Sequence, residues 1–180
     1  LGGGTVTLNY NPGQPEIGQR GRVITEAATD TLAAALIDVS GKSADVNLGR
    51  GSRRTTISQG AGTVSVGGAN GFALMGDIRA QAPNGSVGGG LFQASVSKEG
   101  RSDVVAATAT PYDAHDRVLR VTATQAEVVA HAQTQGEGVV SAQQLADAGF
   151  DRISLRADDR VVLDRGASIG TADEIGRAHV

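Results

Sequence analysis

The chain has 180 residues, a formal net charge of −3, 26 glycines and no cysteine. That length allows one domain with a buried core, and the absence of cysteine excludes a disulfide scaffold and thiolate metal sites. Only 3% of the residues are aromatic, so the core must consist of Val, Leu, Ile and Ala, which favours stacked or elongated architectures. The acidic balance argues against nucleic acid as a general partner, and no apolar run is long enough to form a transmembrane helix.

The first half of the chain consists of short alternating segments divided by Gly, Asn or Pro, a pattern that predicts strands joined by tight turns. The predicted strands are 5–10, 23–26, 36–41, 45–49, 55–58, 63–66, 77–82 and 91–97. Residues 14–22 and 98–116 are predicted to be loops, and the Ala-rich stretch 27–35 a helical turn.

The second half begins with a longer stretch, 118–129, whose first part alternates. Leu119 and Val121 fall on one face there, with Arg120 on the other. One helix is predicted near 141–149, with Ser141 as the N-cap and Gly149 as the stop. Strands are predicted at 152–157 and 160–164, and a further one begins at 167–170.

Strands that recur roughly every ten residues admit a sandwich, a barrel or a solenoid. We favour the all-β solenoid, because few aromatics leave a sandwich core underfilled and the strands are short and uneven for a closed barrel. The side chains expected to point inward and stack in ladders are Ile153, Leu155, Val161, Leu163 and Ile169.

The stretch 145–164 resembles a segment of filamentous haemagglutinin family exoproteins. In that family a small helical turn ending in Gly-Phe-Asp, here Gly149, Phe150 and Asp151, leads into paired aliphatic strands. The segment 81–86, followed by a glycine run and a Phe-containing strand, and the opening Gly-Gly-Thr-Val-Thr-Leu are also similar to the family. The resemblance implies a right-handed parallel β-helix with irregular loops, exported by two-partner secretion through a dedicated outer-membrane transporter.

Two features indicate that the chain is a piece of a larger protein. It begins at Leu1 without an initiator Met. Residues 175–180 read Ile-Gly-Arg-Ala-His-Val, which is the translation of the start of a common sequencing adapter. We therefore expect residues 1–174 to be a β-solenoid segment of a longer chain, and residues 175–180 to be read-through that is excluded from the fold.

Two histidines are candidate metal ligands. His115 lies between Asp113 and Asp116, but no second histidine stands at a suitable spacing, so a solvated loop is the preferred interpretation. His131 stands alone in an Ala/Val/Gln stretch and is interpreted as a surface residue. We predict no metal and no cofactor.

Glycine motifs also have plain structural interpretations. The segment Gly166–Gly170 matches the G-x-S-x-G nucleophile elbow, but the only later histidine is His179, so a turn is preferred. The runs 60–62 and 88–90 lack the Lys-Ser/Thr of a phosphate loop and are interpreted as strand turns.

The remaining candidates are charged or polar turns. The basic patch 50–54 could contact an anionic glycan or headgroup, although a solvated loop is preferred. Asn84 begins a glycosylation sequon that we interpret as a turn. Asp158, Asp159 and Asp164 are interpreted as turn residues rather than calcium ligands.

The predicted function is that of a non-enzymatic structural shaft in a secreted cell-surface adhesin, with a host or surface glycan or protein as a further partner. One alternative is a carbohydrate-active or carbohydrate-binding β-helix, which would place Asp113, Asp116 and Arg117 in one groove with aromatic platforms. Another is the carrier region of a toxin exoprotein. No catalytic, cofactor-binding or metal-binding residue is predicted.

Overall fold

The computed structural model describes residues 3–10, 23–25, 34–47, 54–97 and 115–170. Outside these ranges lie the predicted loop 14–22, most of the loop 98–116, the Ala-rich stretch up to residue 33, residues 50–53 of the basic patch and residues 175–180. The strands of the first half are β1 (Thr5–Tyr10), β2 (Val23–Thr25), β3 (Leu36–Asp38), β4 (Lys42–Asn47), β5 (Arg54–Gln59), β6 (Thr63–Gly68), β7 (Gly71–Leu74), β8 (Asp77–Arg79) and β9 (Gly90–Val96). The second half contains β10 (Val118–Thr122), α1 (Gln125–His131), β11 (Glu137–Ser141), α2 (Ala142–Ala148), β12 (Phe150–Ala157) and β13 (Arg160–Leu163).

The four-stranded sheet has the order β1-β6-β9-β12, and all its strands are parallel. Its register aligns apolar residues that are far apart in sequence into columns that cross the strands. One column runs Val6, Val64, Phe92, Ile153, and the next runs Leu8, Val66, Ala94, Leu155. These columns form one wall of the main core.

Glycines allow the strands of this sheet to begin close together. A β-carbon on Gly62 would overlap the backbone of Gly3 and Gly4, and one on Gly90 would lie 2.8 Å from the carbonyl oxygen of Gly62. Leu91 N donates to that same carbonyl at 3.0 Å. The predicted glycine turns therefore form a corner where three backbones meet without side chains.

The five-stranded sheet is parallel and has the order β13-β10-β11-β7-β2. Strand β11 lies between β7 and β10, although it follows β10 in the chain. After β10 the chain forms α1 on one face of the sheet. Strand β11 then inserts between β7 and β10, which both precede it in the chain. Spatial order and chain order are therefore different here.

Two smaller sheets complete the β-structure of the described residues. Strands β3 and β8 form a parallel pair, whereas β4 and β5 form an antiparallel hairpin. The hairpin carries a cross-strand hydrogen bond from the Thr56 hydroxyl to Asp45 at 2.6 Å.

The two helices cover different parts of the sheets. Helix α2 begins after Ser141, whose hydroxyl accepts from Gln144 N at 3.3 Å, and it ends at Gly149 with φ 81°. The helix predicted near 141–149 is therefore present, and its apolar side enters the main core through Leu145. Helix α1 packs Val128 against Val139 in a second, smaller core on the other face of the five-stranded sheet.

The prediction of an all-β, right-handed parallel β-helix is wrong. The described strands lie in four separate sheets, one of them antiparallel, and two helices accompany them. In a regular β-helix each new coil would stack on the one before it, and the insertion of β11 between β7 and β10 breaks that rule. Residues 125–131 form a helix whose first turn is capped, since Thr124 N donates to the Glu127 carboxylate at 2.9 Å.

The predicted inward set is correct only in part. Ile153, Leu155 and Ile169 pack against the main core, but Val161 and Leu163 are 40% and 51% exposed. Both lie on β13, which pairs with β10 on one side. Val161 pairs with Leu119 and Leu163 with Val121, so both residues extend the core from β10. They stay exposed because β13 is the edge strand of the sheet among the described residues.

Candidate functional site: a charged network on the five-stranded sheet

The most connected polar cluster among the described residues centres on Arg120, in the middle of β10. Leu119 and Val121 on either side of Arg120 point into the main core, so Arg120 points to the opposite face of the sheet. This is the face that α1 covers.

Arg120 contacts two carboxylates from the strands on either side. Its Nε lies 2.5 Å from Oε1 of Glu137, the first residue of β11. Its Nη1 lies 2.5 Å from Oδ1 of Asp164, which directly follows β13. One guanidinium therefore joins three adjacent strands through charge-assisted hydrogen bonds.

Glu137 is the most buried member of the network, with a side chain that is only 6% exposed. Burial alone would lower the pKa of the Arg120 guanidinium, but its bonds to Glu137 and Asp164 raise that pKa above the ordinary value. The other carboxylate oxygen of Glu137 lies 3.4 Å from Nδ1 of His131, in the last turn of α1. Arg120 therefore contacts both carboxylates, and His131 contacts one of them, Glu137.

This arrangement can hold elements together, since it ties β10, β11, β13 and α1 at one point. Groups of three or more His, Asp or Glu residues suited to a metal ion are not found within the described ranges.

Of the Asp-Ala-His-Asp motif the structure describes only the last two residues, His115 and Asp116. Asp113 lies outside the described residues, and His115 and Asp116 are exposed. Asp116 forms an exposed ion pair with Arg160 at 3.3 Å. Arg117 is 3% exposed and donates to the carbonyl of His115 at 2.6 Å, so it braces the loop.

The sequence interpretation of His131 as an isolated surface residue was incomplete, because it contacts Glu137. The Asp residues fall at turns as predicted. Asp158 and Asp159 connect β12 to β13, and Asp159 accepts from Arg117 N at 2.6 Å. Asp164 also belongs to the Arg120 network, a role that its position after a strand did not reveal.

The G-x-S-x-G segment forms a turn, with Gly166 at φ 86°. Ser168 is exposed, and residues 167–170 form neither the helix that a nucleophile elbow requires nor the strand that was predicted. Asn84 lies in a turn, as predicted, and its side-chain Oδ1 accepts a hydrogen bond from Ser86 N at 3.0 Å. Of the basic patch 50–54 the structure describes only Arg54, which is exposed at the start of β5.

The described surface has two shallow grooves that bear on the carbohydrate-binding alternative. One lies beside the glycine loop 85–89, where Gly89 N donates to Asp151 at 2.5 Å. The other lies between β8 and the two helices and is lined by Arg79 and Asp147, among others. Neither groove is lined by an aromatic residue of the described chain, so neither offers a stacking platform for a sugar ring.

The sequence contained only part of the signal for the Arg120 network. Alternation across residues 118–122 correctly places Arg120 opposite Leu119 and Val121. Its partners Glu137 and Asp164 are 17 and 44 residues away in the sequence. The strand order that brings them together cannot be predicted from local periodicity.

Comparison with known proteins identifies no relative of the chain. No protein-family model, no curated protein and no solved structure matches the chain. None of the described helices is both long and apolar enough to cross a membrane.

Proposed function

We propose that the chain is a non-enzymatic structural segment of a secreted cell-surface adhesin of the filamentous haemagglutinin type. The observation that carries the proposal is the pair of apolar columns in the four-stranded sheet. Each column joins residues nearly 150 positions apart, from Val6 to Ile153 and from Leu8 to Leu155. Such columns give each strand two kinds of support, backbone pairing and apolar contact.

The charged network supports the same role. Arg120 links strands from three parts of the chain, and Glu137 extends the link to α1. Groups of this kind fix the order of neighbouring elements, which suits a part that carries load rather than one that turns over a substrate.

The family resemblance of residues 145–164 supplies the proposed setting. In that setting the parent protein leaves the cell through an outer-membrane two-partner-secretion transporter and stays associated with the surface. A host or surface glycan or protein is the proposed adhesion partner. The parent is placed outside the cell in this proposal, and the described segment acts as part of its scaffold.

Surface labelling of intact source cells tests the location. Antibodies raised against residues 1–170 should bind intact cells, and protease added outside should remove the signal. Deletion of the transporter gene should abolish surface labelling while a cytoplasmic control protein stays unchanged. Antigen confined to the cytoplasm of intact, transporter-positive cells would refute the proposal.

A separate measurement tests adhesion. Beads coated with the purified chain should bind host cells or a glycan-coated surface more than beads coated with a heat-denatured sample. Equal binding of the folded and denatured samples would remove adhesion from the proposal and leave the structural role to the labelling experiment.

A further inference from the structure

The turn between β8 and β9 carries the dipeptide Asn84-Gly85, in which both residues are exposed. The Asn84 side chain is folded back along its own backbone, because its Oδ1 accepts hydrogen bonds from Ser86 N at 3.0 Å and from the Ser86 hydroxyl at 2.6 Å. Its Nδ2 donates to the hydroxyl of Ser58, on β5, at 2.6 Å. An Asx turn of this kind holds the side-chain amide beside the peptide that joins Asn84 to Gly85.

Gly85 leaves the backbone nitrogen of that peptide accessible. No described atom beyond the chain neighbours of Gly85 lies within 4 Å of the position that a β-carbon on this residue would occupy. Glycine also has the widest range of φ and ψ of any residue, so the backbone can move toward the side chain at little cost. The Gly85 nitrogen and the side-chain carbon Cγ of Asn84 are therefore two atoms that can meet in this turn.

The hydrogen bonds at Oδ1 favour attack on Asn84 Cγ. When a nitrogen adds to an amide carbon, negative charge develops on the amide oxygen. Two donors from Ser86 contact that oxygen, and donors placed where charge develops stabilise the transition state. The turn therefore activates the Asn84 side chain as well as holding it in place.

We propose that Asn84 is a site of spontaneous deamidation in the folded protein, with the Gly85 nitrogen as the nucleophile. That nitrogen loses its proton to solvent and forms a bond to Asn84 Cγ. The bond from Cγ to Nδ2 breaks, and Nδ2 takes up a proton and leaves as ammonia. Water, the one co-reactant, then opens the cyclic succinimide at either carbonyl to give aspartate or isoaspartate. The inference rests on this turn and does not depend on the proposed function.

A second Asn-Gly pair in the same chain supplies the comparison. Gly71, which follows Asn70, is buried and begins β7, where it pairs with Glu137 of β11. A β-carbon on Gly71 would lie 2.0 Å from the Glu137 carbonyl oxygen, and the carbonyl of Asn70 accepts from Gly136 N at 3.2 Å. Because the sheet holds this backbone in place, Asn70 should react only when the strand opens locally.

Deamidation of Asn84 changes the groove beside the glycine loop 85–89. Asn84 and Asp151 both line this groove, so the new carboxylate places a second negative charge near the first. A carboxylate has no N–H group, so the bond that Nδ2 donates to Ser58 is lost at the same time. The reaction is thus a slow, one-way change in the charge of the groove and in the attachment of the loop to the β4–β5 hairpin.

Incubation of the purified full chain tests the proposal, with one sample folded and one in guanidinium chloride at the same mildly alkaline pH. Peptide mapping by mass spectrometry follows the loss of the amide at Asn84 and at Asn70. In the folded sample Asn84 should deamidate about tenfold faster than Asn70, whereas the two rates should be similar in the denatured sample, where no strand protects Asn70. Comparable rates in the folded sample, or an Asn84 amide that persists there while the denatured chain loses it, would overturn the proposal.

Two substitutions separate the role of the turn from that of the dipeptide. Gly85→Ala places a methyl group on the attacking residue and should slow the reaction at Asn84 in both samples, with the fold unchanged because that space is open. Ser86→Ala removes the hydroxyl donor to Oδ1 and should slow the reaction a few-fold in the folded sample only. Ser86→Thr keeps the hydroxyl and should restore the rate. A folded Ser86→Ala protein that deamidates as fast as the parent would contradict the activation by Ser86.

Discussion

The side-chain Nε2 of Gln125, at the start of α1, donates a hydrogen bond to the backbone carbonyl of Leu74 at 2.8 Å. Gln144, in the first turn of α2, donates in the same way to the carbonyl of Gly76, two residues further along. On this same segment Gly76 N donates to the hydroxyl of Thr25 at 3.1 Å. The chain that leaves β7 is thus held by side chains from both helices and from β2.

Replacing Gln125 should destabilise the protein, because Leu74 is buried and its carbonyl would lose this partner. Gln125→Ala is expected to lower the free energy of unfolding by about 1–2 kcal/mol, measured by urea denaturation. Gln143→Ala is the matched control, since Gln143 is exposed on α2, and it should change the free energy little. Equal effects of the two substitutions would contradict the role given to Gln125.

Removing Arg120 should expose the unbalanced charges of its partners. Arg120→Met leaves Glu137 and Asp164 without their shared cation, and Glu137 is almost completely buried. We expect a loss of about 1–3 kcal/mol, less than for a fully buried pair because the Arg120 side chain is 24% exposed. Arg160→Met, which breaks an ion pair between side chains 63% and 59% exposed, should cost under about 0.5 kcal/mol. A larger loss from Arg160→Met than from Arg120→Met would refute this ranking.

Gly138 provides a test of core packing. A β-carbon at this position would lie 2.5 Å from the Phe72 ring and 2.5 Å from a methyl group of Val96, both fully buried. Gly138→Ala should therefore reduce the free energy of unfolding by about 1–3 kcal/mol through overpacking. Gly85→Ala is the control, because nothing lies within 4 Å of its β-carbon position. Thermal unfolding of both variants measures the difference, and a neutral Gly138→Ala would show that this part of the core is looser than described.

Acid should weaken the first turn of α1. The backbone N–H of Thr124 donates to the Glu127 carboxylate at 2.9 Å, and this bond lowers the pKa of Glu127 below its ordinary value. Because the folded-state pKa is the lower one, the contribution is complete above the unfolded-state pKa and is lost as the pH falls through the folded-state pKa. Denaturant unfolding of the parent and of Glu127→Gln should therefore give a difference in stability that shrinks from neutral pH to below about pH 4.5. A difference that is constant over this range would contradict the assignment.

Local features of the sequence predicted much of the secondary structure. The alternation of residues 5–10 and 152–157 and the caps of the helix after Ser141 were correctly interpreted, because each depends on residues within one turn or strand. Strand β7, which is buried along its whole length, was missed because it shows no alternation of polar and apolar residues. Strand β11 was missed for the same reason, since all five of its residues are buried.

The order of the strands could not be predicted in this way. Nothing local places β11 between β7 and β10, and that placement decides which side chains surround Arg120. For the same reason Glu137 and Asp164 were not recognised as partners of one guanidinium. Their meeting is a property of the assembled sheet rather than of any one strand.

The register of the four-stranded sheet is the claim on which both the columns and the proposed structural role rest. Phe92 stands in the middle of one column and is fully buried, with Val64 on one side and Ile153 on the other. The most direct test is the nuclear Overhauser spectrum of the Phe92 ring in isotope-labelled protein. We predict cross-peaks from this ring to the methyl groups of both Val64 and Ile153. A folded protein whose Phe92 ring shows contacts to neither residue, or to only one of them, would contradict the account.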